Sequence, residues 1–343
     1  MNHTLKKSLI FAVIFILLCS LVPLTLLLSS NKNSNRKRNE QNPANEEKLI
    51  LGFSQIGSES AWRTRNTESI FEAAEQNNIQ IIFDDAQQKQ ENQLKAIRSF
   101  IVYQVDVIAF VPIVEDGWDN VLQEAKDAGI PVIIVDRQIN ADSSLYAGFL
   151  GENGFEEGFS AANFLVNKCK NKDGPVNILE LYGTENSSVV IARAEGFRSV
   201  INGDPKFKII RTENGDFLRS RGKEIADKII QENGGFNYKG TKIDVIYSHN
   251  DSMTLGLLDS FNNNKIAPQD FIIISIDAEQ KSIDALVRGE LNCVVECNPN
   301  LGPTLMKLVK EIAQGNSIAP VTYMNETIFT EDDDFSTYKP RGY

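Results

Sequence analysis

From residue 48 onward, short β-branched apolar runs alternate with stretches whose apolar residues recur every three or four positions. The runs fall at 50–54, 79–84, 105–112, 130–136, 176–183, 207–212, 243–250 and 270–277. Near-continuous apolar runs separated by amphipathic stretches are the signature of parallel strands covered by helices on both faces. In the first half the helical sets are Ile70, Phe71 and Ala74, then Leu94, Ile97 and Ile101, then Trp118, Val121, Leu122 and Ala125. Each set predicts one face packed on a sheet. Gly129-Ile130-Pro131 ends the third helix and opens the next strand. After Gly151 the pattern begins again, with helices predicted near 155–168, 187–202, 218–233 and 252–264.

Two series of the same kind in tandem predict an α/β protein of two similar doubly wound parallel-sheet lobes, joined by a hinge, with a ligand cleft between them. Ligands of open parallel sheets bind beyond the carboxyl ends of the strands. Those ends are unusually polar here: Ser54-Gln55, Asp136-Arg137, Asn250-Asp251 and Asp277. Phe217 follows Gly215-Asp216 in a loop, and Arg193 lies on the helix after the strand that ends at Gly183.

The amino end departs from this pattern. Residues 9–28, LIFAVIFILLCSLVPLTLLL, hold 20 positions without a charge, enough for a helix to span a bilayer core of roughly 30 Å. The block follows Lys6 and Lys7, as an export signal does, yet it exceeds the about 7–15 apolar residues of a cleavable one. It reads as a signal retained as a membrane anchor, with cleavage, or lipidation at Cys19, as alternatives. Residues 29–47 are rich in Asn, Ser and charge, and form a tether. Four basic residues follow the block and two precede it, a bias that by itself places the body in the cytoplasm.

Charge and cysteine content narrow the functional classes. The net charge of −11 divides into +3 on residues 1–47 and −14 on the rest. An acidic body without a basic stripe is a poor nucleic-acid ligand. Cys19, Cys169, Cys293 and Cys297 form no metal-type spacing, and the body has one histidine, His249. No metal site, cofactor or disulfide framework is therefore expected, and the three body cysteines read as small core residues. Neither a dinucleotide fingerprint nor a phosphate-binding glycine loop occurs. No nucleophile, base and orienting group assemble from the motifs, so an enzyme is not expected.

Several segments carry a resemblance: GFSQIGSESAWR (52–63), DAQQKQENQLKAIRSF (85–100), IPVIIVDRQI (130–139), GDFLRSRGKE (215–224) and HNDSMTLG (249–256). Through them the chain resembles the periplasmic sugar-binding proteins of ABC transporters, in the ribose/galactose-type branch and nearest its galactofuranose-binding members. The resemblance implies the type I periplasmic binding fold and a monosaccharide closed between two lobes. The implied boundaries are 1–28 for the signal or anchor, 29–47 for the tether, 48–151 with 297–325 for the first lobe, and 152–296 with 326–343 for the second.

The implied ligand set is Glu59, Ser60, Trp62, Arg63, Asp136, Arg137, Arg193, Phe217, Asn250, Asp277 and Glu296. Their chemistry suits a sugar. Arginines supply forked donors, carboxylates accept from hydroxyls, Asn250 does both, and Trp62 and Phe217 offer surfaces for the C–H face. Each also has a plainer reading: Trp62 and Phe217 as core, Asp136-Arg137 as a local ion pair, Arg63 and Arg193 as solvated helix residues. Implied partners are ABC permease subunits or, alternatively, a membrane histidine kinase or chemoreceptor that reads lobe closure. A sugar receptor works outside the cytoplasm, so this reading overrides the flanking-charge bias.

Overall fold

The computed structural model describes residues 48–343. The apolar block and the tether lie outside the described residues. Among the described residues no helix is long and apolar enough to cross a membrane.

The first sheet contains β1 (Ile50–Gln55), β2 (Gln80–Asp85), β3 (Val107–Phe110), β4 (Val132–Val135), β5 (Gly148–Gly151) and β13 (Val321–Tyr323), in the spatial order β13-β5-β4-β3-β1-β2. All its pairings are parallel. Its helices are α1 (Ala61–Gln76), α2 (Gln90–Tyr103), α3 (Asp119–Asp127) and, arriving late in the chain, α9 (Gly302–Ala313).

The second sheet contains β6 (Val176–Tyr182), β7 (Phe207–Asn214), β10 (Val245–Ser248), β11 (Ile272–Asp277), β12 (Cys293–Glu296) and β14 (Ile328–Thr330), in the order β14-β12-β11-β10-β6-β7. Its helices are α4 (Gly154–Lys168), α5 (Ser188–Ile201), α6 (Arg219–Asn233), α7 (Asp251–Asn264) and α8 (Gln280–Val287). A small hairpin, β8 (Asn237–Tyr238) with β9 (Thr241–Lys242), precedes β10. Each sheet places its second strand outside its first and then steps the other way. Each therefore has a switch point where ligands bind.

Strand residues are apolar on both faces because both faces are covered. Along β3, Val107 and Ala109 enter one core cluster while Ile108 and Phe110 enter another. The same division recurs along β10, where Ile246 faces away from Val245 and Tyr247. This is the two-residue period of a strand read out as two cores per sheet.

Two expectations are corrected. The second sheet is not wholly parallel, because β14 runs antiparallel to β12. Phe71 does not face the sheet: it is 41 % exposed and meets the Phe83 ring edge-on, while Ile70 and Ala74 fill that core.

The chain passes between the sheets three times, after β5, after β12 and after β13. The sheets of this two-lobed α/β fold are thus joined by three separate segments.

Candidate ligand-binding site

Ten of the eleven expected residues line a single cavity between the two sheets: Glu59, Ser60, Trp62, Arg63, Asp136, Arg137, Arg193, Phe217, Asn250 and Asp277, joined by Val189 and Cys297. Its empty volume is about 320 Å³, at the small end of ligand pockets.

The two lobes contribute in parallel ways. In each, an arginine on the first helix after the first strand meets an aspartate at the end of the fourth strand. Arg63 Nη2 donates to Asp136 Oδ2 at 2.6 Å. Arg193 Nη2 lies 4.0 Å from Asp277 Oδ1. Both aspartates have positive φ, 62° for Asp136 and 125° for Asp277, a backbone state that non-glycine residues occupy at a cost and that clusters at functional sites. The turn lifts each carboxylate out of its strand line and into the cavity.

Around Asp136 the charges interlock. Arg63 Nε donates to Glu59 Oε1 at 3.0 Å, and the Arg137 guanidinium lies 3.7 Å from the same oxygen. Ser60 caps α1, its Oγ accepting from the Arg63 N–H at 3.1 Å. Burial works against the Arg63 cation, but the charges of Asp136 and Glu59 outweigh it and hold its pKa above the ordinary value. Burial and the neighbouring Arg63 pull Arg137 down to about 10, so it remains a cation at neutral pH. Two buried polar atoms here, Arg63 Nη1 and Glu59 Oε2, have no hydrogen-bond partner.

On the other side Arg193 Nε donates to Glu157 Oε2 at 2.5 Å, and Nη1 donates to the His249 carbonyl. Burial raises the pKa of Asp277 well above the usual carboxylate range, against the pull of Arg193. Asn250 is committed to the framework: its Oδ1 caps α7 by accepting from the Met253 N–H, and its Nδ2 donates to the Phe217 carbonyl. Asp216 and Phe217 both have positive φ, which turns the ring back over Gly183. A Cβ on Gly183 would lie 2.1 Å from Phe217 Cζ, so only glycine leaves room for the ring.

Several contacts join the lobes directly. The Arg137 guanidinium sits 5.4 Å from the centre of the Phe217 ring. The Gln138 N–H donates to Ser188 Oγ at 2.7 Å. Trp62 is buried in the second lobe's core cluster, and its Nε1 donates to the Cys297 carbonyl at 2.6 Å.

Residues 51–317 match the family model described as a periplasmic binding protein domain. This chain belongs to the periplasmic binding protein family. It is 39 % identical over 302 residues to the galactofuranose-binding protein YtfQ of Escherichia coli (strain K12), an alignment covering 86 % of this chain and 93 % of that one. Among solved structures, a Mycobacterium smegmatis protein in complex with β-D-fucofuranose superposes with a TM-score of 0.78 at 41 % identity, over 82 % of this chain and 91 % of its own. The binding component of the arabinose ABC transporter of Shewanella sp. ANA-3, bound to L-arabinofuranose, superposes with a TM-score of 0.77 at 38 % identity, over 83 % and 92 %.

In this periplasmic binding protein one expected contact falls outside the cavity. Glu296 is not among the lining residues; its carboxylate accepts from the Arg341 guanidinium and from the Thr327 N–H. Its strand-end position is as expected, but the C-terminal segment has taken up the side chain.

Glu157, Glu279 and Cys297 are buried neighbours of these side chains that the sequence did not flag. Glu157 and Glu279 sit where acidic residues normally face solvent near helix starts. Cys297 follows a strand as an ordinary small apolar residue would. Only their burial beside charged partners marks them out.

Proposed function

We propose that this chain is an extracytoplasmic solute-binding protein that encloses one monosaccharide between its lobes and delivers it to an ABC permease. The carrying observation is the cavity between the sheets, where two Arg–Asp pairs, Trp62 and Phe217 converge and where Arg63 Nη1 and Glu59 Oε2 are buried without partners. Buried polar atoms of this kind are costly unless something hydrogen-bonds to them. The hydroxyls of a small polyol fit both, one accepting from the guanidinium and one donating to the carboxylate. Ring C–H groups pack on Trp62 and Phe217. Binding requires no bond to be made or broken.

The relatives that bind galactofuranose, fucofuranose and arabinofuranose favour a five-membered sugar ring. Transport is favoured over sensing by the Shewanella relative, which is an ABC transporter component. In this reading, residues 48–151 with 297–325 and residues 152–296 with 326–343 are the two bodies that close. Residues 1–28 direct the chain across the cytoplasmic membrane, retained as an anchor or trimmed, and 29–47 are the tether.

Calorimetry of the full chain against galactofuranose, arabinose, ribose and galactose tests the proposal. Saturable binding of a furanose-forming sugar is the expected result. Silence for all four overturns it.

A further inference from the structure

Two of the three segments that cross between the sheets meet α4 at an acidic cluster beside the sugar cavity, which Cys297 also lines. Glu157, Cys297 and Glu326 each bring one donor atom to within 4.8 Å of the other two. Cys297 lies in the crossing that follows β12, and Glu326 in the crossing between β13 and β14. Glu152 lies in the remaining crossing, directly after β5; burial, then the charges of Asp136, Glu326 and Glu157, push its pKa well above the usual carboxylate range.

These groups are poorly satisfied. Glu152 is 7 % exposed and neither of its carboxylate oxygens has a hydrogen-bond partner. The Glu157 side chain is 1 % exposed, and its Oε1 is also unpartnered, since Arg193 takes only the other oxygen. Glu326 Oε1 is a further buried orphan. Crowding like charges away from water is strongly unfavourable unless a cation or protons compensate. One edge of the cluster meets a groove, which Glu157 and Glu326 line together with Asn153, Glu156 and Tyr323.

We propose that this cluster holds a divalent transition-metal site of the zinc class, with Cys297 Sγ, Glu157 and Glu326 as ligands and the fourth position left to water. A thiolate beside carboxylates suits Zn²⁺ and its neighbours, whereas Ca²⁺ and Mg²⁺ take oxygen ligands. Bonds of about 2.0–2.3 Å would draw tetrahedral donors to roughly 3.5 Å from one another, so the three donors, all within 4.8 Å, need to contract by at most about 1.3 Å. The thiol and any protonated carboxylate give up their protons as the ion enters. An ion held by Cys297, Glu326 and Glu157 ties two of the crossings to α4 and restrains their movement relative to one another. The donors come from three places spread over 170 residues of chain, which is why no spacing motif announces them. The site needs no sugar, although Cys297 also lines the sugar cavity and Glu157 also holds Arg193.

The test is titration of the chelator-stripped full chain, without sugar, with Zn²⁺ and separately with Co²⁺. Expected results are uptake of one Zn²⁺ per chain and, with Co²⁺, a near-ultraviolet thiolate-to-cobalt charge-transfer band. Cys297→Ala should abolish the band, and Glu326→Gln should weaken Zn²⁺ binding about tenfold or more. Thermal unfolding confirms that each variant is folded; if Cys297→Ala is not, the wild-type band and Glu326→Gln decide. Absence of the band from the wild-type chain, its survival in folded Cys297→Ala, or unchanged Zn²⁺ affinity in Glu326→Gln overturns the site.

Discussion

The backbone N–H of Trp62, in the first turn of α1, donates to Glu279 Oε1 at 3.2 Å across 217 residues of chain. A carboxylate from the second lobe therefore caps a helix of the first. Helix amino termini carry unpaired N–H groups and a partial positive charge, so a carboxylate there is favourable. The contact exists only while the lobes face each other, and it stabilises the closed state. Hydrogen bonds to charged groups contribute about 1.5–3 kcal/mol, so Glu279→Ala should weaken sugar binding about tenfold or more, mainly through faster release. Glu279→Gln keeps an acceptor and should lose less. Stopped-flow fluorescence reads both rates, and an unchanged release rate refutes the capping role.

Arg137 is buried against Glu59, the Ile113 carbonyl and the Phe217 ring. Removing one member of a buried charged set costs about 3–5 kcal/mol, and Arg137→Ala should lower sugar affinity by a comparable amount in calorimetry. Arg137→Lys keeps the charge but not the planar fork, and should rescue poorly. Normal binding by the alanine variant removes Arg137 from the site.

The chain has two tryptophans. Trp62 lines the cavity, while Trp118 is fully buried in a first-lobe core, its Nε1 donating to the Val114 carbonyl. Sugar should therefore change tryptophan fluorescence through Trp62 alone. Trp118→Phe is expected to keep the ligand-induced change and Trp62→Phe to lose it; the reverse pattern places the ligand elsewhere.

Gly183 and Phe217 should behave as a coupled pair. A methyl group on Gly183 occupies the place of the Phe217 ring, so Gly183→Ala displaces the ring and should weaken sugar binding at least about tenfold with little change in far-ultraviolet circular dichroism. Phe217→Ala should cost much less in that background than in the wild type, as expected for residues in contact. Additive losses in the double-mutant cycle would show that the two act separately.

Stability should fall between pH 6.5 and 8. Burial, then the charge of Glu279, pushes Asp251 up to about 8, so the folded chain holds a proton that the unfolded chain releases near pH 4. This favours the folded state at low pH and is lost as pH rises through 8. At about 1.4 kcal/mol per pH unit, the window costs about 2 kcal/mol. His249, whose pKa is lowered by burial, acts in the opposite sense, but its contribution is already complete above about 6.5. Urea unfolding at the two pH values checks the sign, and Asp251→Asn should flatten the slope. A rise in stability over this window would contradict the buried proton.

The cavity was legible in the sequence because buried strands that end in Asp136-Arg137, Asn250-Asp251 or Asp277 have no packing reason to do so. Trp62 and Arg63 followed from their place after the first strand. The apolar runs did not show the exchange of the final strands, which came only from the family resemblance, since β13 and β14 are three-residue edge strands with Val321 46 % exposed and Ile328 37 % exposed, too short and too open to leave an apolar run. The partner of Glu296 was equally out of reach. Arg341 lies 45 residues away, beyond a tail with no periodicity, and tertiary pairing of that kind has no local signature.

The three crossings also set the order in which the molecule is completed during synthesis. Leu305, Met306 and Val309 of α9 fill the same core as Leu51, Phe53 and Ile70, which are made some 250 residues earlier. The first half emerges from the ribosome well before the helix that finishes its core, and β13 and β14 then close the open edges of both sheets almost together. Neither lobe reaches its final form far ahead of the other, so the nascent chain stays incompletely folded until its last few dozen residues are available.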